Sequence, residues 1–154
     1  MHMPKRDTKT LFTDYLREKK LRITPERFEV LDAVMRTPGH FDVDQLYYRM
    51  KTQGSKVSRA TVYNTVDKLR DAGVLAQYRF GERSARYEIA HNVQPHHHLI
   101  CRSCGNIEEF IDKRVDRMAR DAAAFLGHEL QDAVLHIYGV CPACLRARGN
   151  GVDA

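Results

Sequence analysis

Metal-ligand side chains are concentrated between residues 91 and 109, in the segment HNVQPHHHLICRSCGNIEE. Cys101 and Cys104 form a CxxC motif there, and a second CxxC follows at Cys141 and Cys144. Two thiolates at this spacing can reach one zinc ion from a single short turn, at about 2.3 Å. Four thiolates saturate a tetrahedral Zn²⁺ ion and leave no open position, so these cysteines predict a structural zinc site.

The histidines and carboxylates form a second set of candidate ligands. Nitrogen and oxygen donors suit Fe²⁺, Mn²⁺, Ni²⁺ or Zn²⁺ in a more open geometry than four thiolates allow. Along a strand successive side chains alternate, so His96 and His98 can face one ion while His97 points away. The candidate ligands of this second ion are His40, Glu88, His96, His98 and Glu109. Each residue also has an ordinary interpretation, as a loop histidine, a salt-bridge partner or part of a solvated turn.

Length, composition and cysteine usage limit the classes of protein to consider. The 154 residues are 43% apolar, which is enough for one domain or two small ones with a real core. We find no apolar run approaching 18 residues and no signal-peptide pattern, so we expect a cytoplasmic protein with no membrane partner. All four cysteines lie in CxxC pairs, which in this compartment favours metal over disulfides. A redox-active dithiol is the alternative.

The positive charge is unevenly distributed. Residues 1–90 contain 18 Lys and Arg against 12 Asp and Glu, a net charge of +6, whereas residues 91–154 contain 7 against 8, a net charge of −1. The first part is therefore the better candidate for binding a polyanion, although many solvated helices are equally basic.

Hydrophobic periodicity predicts an α+β protein. Candidate N-caps are Thr24, Asp42 with Gln45 in a capping box, and Ser58. Two short apolar and aromatic runs, Leu75–Phe80 and Ala85–Ile89, then predict a β-hairpin. The four predicted helices are Thr8–Lys20, Pro25 up to Thr37, Asp42 to Gly54, and Ser58 to Ala72. Helices followed by such a hairpin predict a winged helix-turn-helix domain over residues 1–90.

A second, smaller domain is predicted after a polar, proline-containing hinge at residues 91–95. Its elements are two strands, a helix and a third strand, a small α/β unit over residues 96–154. So small a unit needs support, which zinc and dimerisation could supply. The predicted elements are strands His97–Cys101, Asn106–Phe110 and Val134–Val140 and helix Lys113–Leu126, followed by a frayed tail from Arg146.

The fourth helix carries the candidate DNA-reading surface. Its face opposite the apolar stripe includes Ala60, Tyr63 and Asn64, which could enter a major groove while Arg79, Arg83 and Arg86 of the wing meet phosphates. The alternative is an ordinary solvated helix face.

The sequence resembles the ferric uptake regulator family of bacterial metal-dependent repressors over nearly its whole length. The motifs that carry the resemblance stand in family order: RITPERFEVL, GHFDVDQLY, RATVYNTVDKLRDAGVL, RYEI, HHHLICRSCGNIEEF and LHIYGVCPAC. The resemblance implies a winged-helix domain, a dimerisation domain, a four-cysteine zinc site and a regulatory site on the five His and Glu positions above. It also implies base contact by Tyr63 and a position near the minor groove for Arg22.

From this resemblance we expect an Fe²⁺-responsive repressor, not an enzyme, that binds palindromic operator DNA as a homodimer; whether dimers pair into tetramers is left open. The expected DNA contacts are Arg22, Ser58, Arg59, Thr61, Tyr63 and Asn64. Mn²⁺ or Zn²⁺ could replace Fe²⁺ as the regulatory ion, and nickel or peroxide sensing are alternatives. Peroxide sensors of the family resemble this pattern with Asp at position 109, so Glu109 favours iron. Some members of the family bind a third metal ion, and His97 and Asp116 match two of the ligand positions of that site. Ala133 stands where those members have a histidine, so a third full site is not expected.

Two alternatives of another class remain at this point. A metallohydrolase could use Glu108 as a general base beside an ion with an open coordination position. A thiol oxidoreductase could use the CxxC pairs, which would then form reversible disulfides instead of binding zinc.

Overall fold

The computed structural model describes residues 7–79, 84–90 and 94–149, which form two compact units, Met1–Val93 and Gln94–Ala154. The predicted hairpin turn and the start of the predicted hinge lie mostly outside the described residues, as does Arg83. None of the helices that the structure describes is both long and apolar enough to cross a bilayer.

The first unit consists of four helices and a two-stranded antiparallel sheet, in the predicted order. The elements are α1 Thr8–Glu18, α2 Pro25–Met35, α3 Val43–Thr52, α4 Arg59–Asp71, β1 Leu75–Tyr78 and β2 Arg86–Ile89. Their apolar faces form one core that includes the fully buried Phe12, Leu31, Leu46, Val62 and Leu69. Burial of these stripes holds the helices against one another.

Local capping chemistry sets the starts of the helices. Asp42 and Gln45 form the predicted capping box at the start of α3, and Ser58 accepts a hydrogen bond from the Thr61 N–H at the start of α4. Thr24 occupies the N-cap position of α2, but its predicted side-chain bond is absent. Pro25 begins that helix with a fixed φ and no N–H of its own to satisfy.

The second unit is a three-stranded sheet with two helices. Its elements are β3 His97–Cys101, β4 Ile107–Phe110, α5 Lys113–Phe125, β5 His136–Gly139 and α6 Pro142–Gly149. The strand order is β4-β3-β5; β3 pairs antiparallel with β4 and parallel with β5. A parallel pair needs a crossover, which the segment containing α5 supplies.

The expectation of a frayed tail from Arg146 is wrong as far as residue 149. The structure has helix α6 there, with Pro142 at its first position, where proline is favoured. The Leu145 N–H bonds to the Cys141 carbonyl at 3.0 Å, and Arg148 donates to Ser103 Oγ at 2.7 Å. Contacts with the cysteine-bearing turn therefore anchor a segment whose composition alone suggested disorder.

Candidate metal centres and nucleic-acid interface

The four cysteines converge in the second unit. Cys101 ends β3, Cys104 lies in the turn after it, and Cys141 and Cys144 flank the start of α6. Gly105 completes the first turn with φ 78°, a conformation that favours glycine. The four sulfur atoms all lie within 4.8 Å of one another, and the Cys104 and Cys141 sulfurs are 3.7 Å apart. All four thiols, which belong to the described residues, are free of disulfide bonds.

Hydrogen bonding distributes protons unequally among these thiols. Backbone N–H groups of Cys104 and Cys141 lower the pKa of Cys101 to about 5. Hydrogen bonds with the Cys141 and Cys104 side chains raise the pKa of Cys144 to about 12. Four neighbouring sulfurs cannot all ionise without a cation, whereas a divalent ion displaces their protons and is bound by thiolates. The donor set therefore fits Zn²⁺.

In the first unit, strand pairing brings together two of the five predicted regulatory ligands. Phe41 and Tyr87 exchange two backbone hydrogen bonds, of 2.9 and 2.8 Å, as an isolated antiparallel bridge. Their neighbours His40 and Glu88 are consequently opposite each other, with His40 Nε2 2.9 Å from Glu88 Oε2. Both side chains are only 6% exposed. A buried carboxylate requires a partner, and here an imidazole supplies it.

In the second unit, the other three predicted ligands lie together near one end of the sheet. The His96 and His98 ring centroids are 4.9 Å apart, and His98 pairs in register with Glu109 on β4. His96 Nε2 lies 3.8 Å from Glu109 Oε2. Each unit thus presents its own histidine and carboxylate pair, separate from the cysteine cluster.

Because successive side chains alternate along β3, His97 has different neighbours from His98. Its Nδ1 accepts a hydrogen bond from the Leu135 N–H at 3.3 Å, and its Nε2 lies 3.6 Å from Asp116 Oδ1. The His97 ring packs against Phe110 with centroids 5.4 Å apart. Protein groups thus contact both ring nitrogens of His97.

A further histidine neighbour was not predicted from the sequence. His136 pairs with His98 across the parallel β3 and β5 strands, and their ring centroids are 5.3 Å apart. Position 136 is histidine within a short apolar strand, which was the only available signal. Its partner could not be known without the strand register.

The predicted DNA contacts lie on or beside the exposed face of α4, except for Arg22. Val62, Thr65, Val66 and Leu69 are buried on the other face, whereas Tyr63 is 41% exposed. Ser58 and Thr61 form the helix cap, and Asn64 Oδ1 accepts from Arg27 at 3.4 Å. Arg22 is exposed in the link between α1 and α2.

One residue that contacts this surface, Asp44, was not predicted from the sequence. Asp44, in the first turn of α3, accepts hydrogen bonds from both Tyr63 and Arg59. Hydrogen bonds with Tyr63 and Asp44 also raise the pKa of Arg59 above its ordinary value. An acid near a helix N-terminus is common enough to give no signal of this pairing.

A winged helix-turn-helix unit, followed by a unit with converging thiols and separate histidine and carboxylate clusters, defines a metal-binding transcriptional regulator. The sequence model of the Ferric uptake regulator family matches residues 18–138. The chain belongs to this family of metal-responsive repressors, which are not enzymes, and the hydrolase and oxidoreductase alternatives are thereby excluded.

Curated relatives include regulators of two kinds. The chain is 33% identical over 134 residues to the ferric uptake regulation protein of Synechococcus elongatus, covering 86% of this chain and 91% of that protein. It is 32% identical over 135 residues to the peroxide operon regulator of Bacillus subtilis, covering 88% and 92%. The chain is therefore similar, at nearly equal identity, to both a ferric uptake regulator and a peroxide regulator.

Solved structures confirm the predicted fold class. The ferric uptake regulator of Francisella tularensis with iron superposes with a TM-score of 0.73 at 27% identity, covering 81% of this chain and 95% of that one. A zinc uptake regulator in complex with zinc and DNA has a TM-score of 0.58 at 25% identity, covering 94% and 99%.

Proposed function

We propose that this protein is a homodimeric, Fe²⁺-responsive repressor in which one exchangeable ion per subunit takes ligands from both units. The observation that carries the proposal is the presence of a histidine and carboxylate cluster in each unit: His40 with Glu88, and His96 and His98 with Glu109. Either cluster alone would leave two or more positions of a five- or six-coordinate Fe²⁺ ion to water, whereas together they supply five protein ligands.

The regulation follows from where the ligands originate. An ion that needs donors from both units binds best when the units are held in one arrangement, so binding shifts the population toward that arrangement. Metal and DNA binding are then thermodynamically coupled, and each strengthens the other by the same factor. The short His40–Glu88 contact keeps the buried carboxylate partnered when the ion is absent.

The donor types favour Fe²⁺ over metal ions that prefer thiolate ligands. Three imidazoles and two carboxylates suit Fe²⁺ and Mn²⁺, whereas the thiolates that favour zinc all lie in the other cluster. Position 109 is glutamate in this chain, whereas the family resemblance implies aspartate at this position in the peroxide sensors. Peroxide sensing is the second candidate, favoured by the similarity to the Bacillus subtilis regulator.

The zinc proposed for the cysteine cluster has a structural role. Cys101, Cys104, Cys141 and Cys144 would hold Zn²⁺ as four thiolates, and a saturated tetrahedral ion has no position left for exchange or catalysis. The Cys141 N–H, which donates to Cys101 Sγ at 3.3 Å, helps to stabilise the thiolate.

The dimer is proposed to form through the second unit. None of the side chains of α5, all of which the structure describes, is buried, although the helix carries apolar residues such as Met118, which is 59% exposed. A groove of about 580 Å³ is lined by residues of both α5 and the sheet, including Leu99, Val115, Met118 and Ile137. A second copy of this unit would cover the apolar surface.

Pairing of subunits would present two α4 helices to DNA. Recognition helices about 34–36 Å apart meet successive major grooves, and a twofold dimer therefore selects a palindromic operator. Tyr63 and Asn64 are proposed to contact base edges, and Arg22 to lie near the minor groove. Contacts with the DNA backbone are proposed for Ser58, Arg59 and Thr61. Assembly of dimers into tetramers would extend the contacted DNA.

Operator binding measured against metal concentration tests the proposal. The operator is first enriched from a random-sequence duplex pool by the Fe²⁺-loaded protein under anaerobic conditions. We expect His96→Ala to lose metal-dependent binding and keep its fold, whereas His128→Ala, which alters an exposed histidine after α5, should behave as wild type. The proposal would be refuted if wild-type operator binding did not depend on Fe²⁺ or Mn²⁺, or if His96→Ala still responded to the metal. Loss of Fe²⁺-dependent binding when peroxide is added would instead support peroxide sensing.

A further inference from the structure

One carboxylate oxygen of α3 binds two exposed side chains of α4. Asp44 Oδ1 accepts a hydrogen bond from Arg59 Nη2 at 2.6 Å and another from Tyr63 Oη at 2.9 Å. The Arg59 guanidinium also lies over the Tyr63 ring, 5.7 Å from its centroid. Asp44 thus binds two side chains of the surface proposed to read DNA.

The local fold positions this carboxylate beside α4. Asp44 is in the first turn of α3, where the helix dipole stabilises a negative charge. The adjacent capping box fixes that turn, and Asp42 also lies 3.6 Å from Arg86 on β2. The backbone that carries Asp44 is therefore fixed at the start of α3, from which its side chain reaches Arg59 and Tyr63 on α4.

A DNA phosphate would compete for the same donors. Carboxylate and phosphate oxygens both accept charge-assisted hydrogen bonds from guanidinium groups. A duplex that approaches α4 must therefore displace Asp44 from Arg59, and it also meets the negative charge of Asp44. The loss of the Arg59 contact applies to every sequence. On an operator, however, Asp44 would also hold the Tyr63 hydroxyl in place for its base contact, a gain that random DNA does not offer.

We propose that Asp44 is a specificity-determining residue that restrains Arg59 and Tyr63 and thereby suppresses binding to non-operator DNA. The inference rests on the proposed function, because it concerns the same DNA-reading surface. The exchange is feasible because the pair is exposed: the Arg59 side chain is 55% accessible and that of Asp44 is 43% accessible. Exposed ion pairs of this kind are weak enough to be replaced by a stronger partner.

The test compares Asp44→Asn with wild type on two fluorescent 30-bp duplexes, a random-sequence pool and the operator enriched from it, with Mn²⁺-loaded full-length protein. We expect Asp44→Asn to bind the random pool about two- to tenfold more tightly than wild type, because Arg59 becomes available to a phosphate. The slope of log affinity against log salt concentration should become steeper by the equivalent of about one phosphate contact. Operator affinity should change less, so the ratio of specific to non-specific affinity falls. Asp44→Glu, which retains the charge, should restore much of that ratio.

Matched variants separate this effect from a general loss of negative charge. Asp32→Asn removes the same charge from an ion pair of similar exposure, formed with Lys9 at 3.0 Å on the α1 and α2 helices, and should leave the ratio unchanged. In an Arg59→Ala background, Asp44→Asn should no longer tighten binding to the random pool. Unchanged or weaker binding of folded Asp44→Asn to that pool, an equal gain from Asp32→Asn, or a gain that persists without Arg59 would overturn the inference. Wild-type protein that binds neither duplex would instead overturn the proposed function.

Discussion

Removal of zinc should unfold the second unit while the first unit stays folded. The two units differ sharply in buried apolar side chains. The first has a cluster of seventeen buried residues, from Phe12 to Tyr87. In residues 94–149 the only buried hydrophobic side chains are Ile100, Cys101 and Cys141, and two of these three are proposed zinc ligands.

The magnitude follows from this difference. Full burial of an isoleucine side chain contributes about 1.5–3 kcal/mol, whereas structural Zn²⁺ contributes about 10–16 kcal/mol to small zinc-dependent folds. Net stabilities of whole domains are only about 5–15 kcal/mol. Loss of the ion therefore removes more free energy than the second unit can retain from its own core. The first unit has no candidate zinc thiolates and should be little affected.

Hydrogen–deuterium exchange with mass spectrometry on the full chain gives the required resolution. Peptides from β3, β5 and α6 should lose protection after treatment with a strong zinc chelator, and in Cys104→Ser, while peptides from α2 and α4 keep theirs. Ser103→Ala is the matched control for β3 and β5, because it alters the same turn and leaves all four thiols in place. Helix α6 is not compared in this variant, since the substitution removes the Arg148 hydrogen bond that helps to anchor it. Protection of β3 and α6 that survives complete removal of zinc would show that the cysteine cluster does not maintain this unit.

Two other substitutions test the remaining parts of the proposal. Tyr63→Ala should weaken operator binding about 10- to 100-fold, the range for a lost base contact. Binding to random duplex should weaken much less, and equal losses on both duplexes in an anisotropy titration would exclude a base-reading role. Met118→Glu should convert dimer to monomer at micromolar concentration in sedimentation velocity, because it places a charge on the exposed apolar face of α5, whereas Met118→Leu should remain dimeric; an unchanged Met118→Glu dimer would place the interface elsewhere.

Local sequence patterns were sufficient for most elements of the fold. The Asp42 and Gln45 capping box, the apolar stripes of α3 and α4 and the different neighbours of His97 and His98 on β3 depend on residues close in sequence, and the structure contains each of them. Helix α6 escaped prediction because its anchors, such as the bond from Arg148 to Ser103, are distant in sequence.

The candidate site shows the same limit more clearly. The residue types of the five regulatory positions were visible in the sequence, but the contact between His40 and Glu88 depends on the bridge between Phe41 and Tyr87, across 46 positions of the chain. The pairing of Asp44 with Arg59 likewise depends on how α3 packs against α4. Residue chemistry could therefore be predicted, whereas these partners required the three-dimensional arrangement.

The central claim, one regulatory ion bound jointly by both units, is tested most directly by Mn²⁺ titration of the zinc-loaded protein, monitored by electron paramagnetic resonance. The wild type should bind one Mn²⁺ per subunit. His40→Ala in the first unit and His98→Ala in the second should each weaken that same binding event, by at least tenfold. A protein that retains wild-type affinity when either histidine is removed, or that binds two independent ions, one abolished by each substitution, would contradict the account.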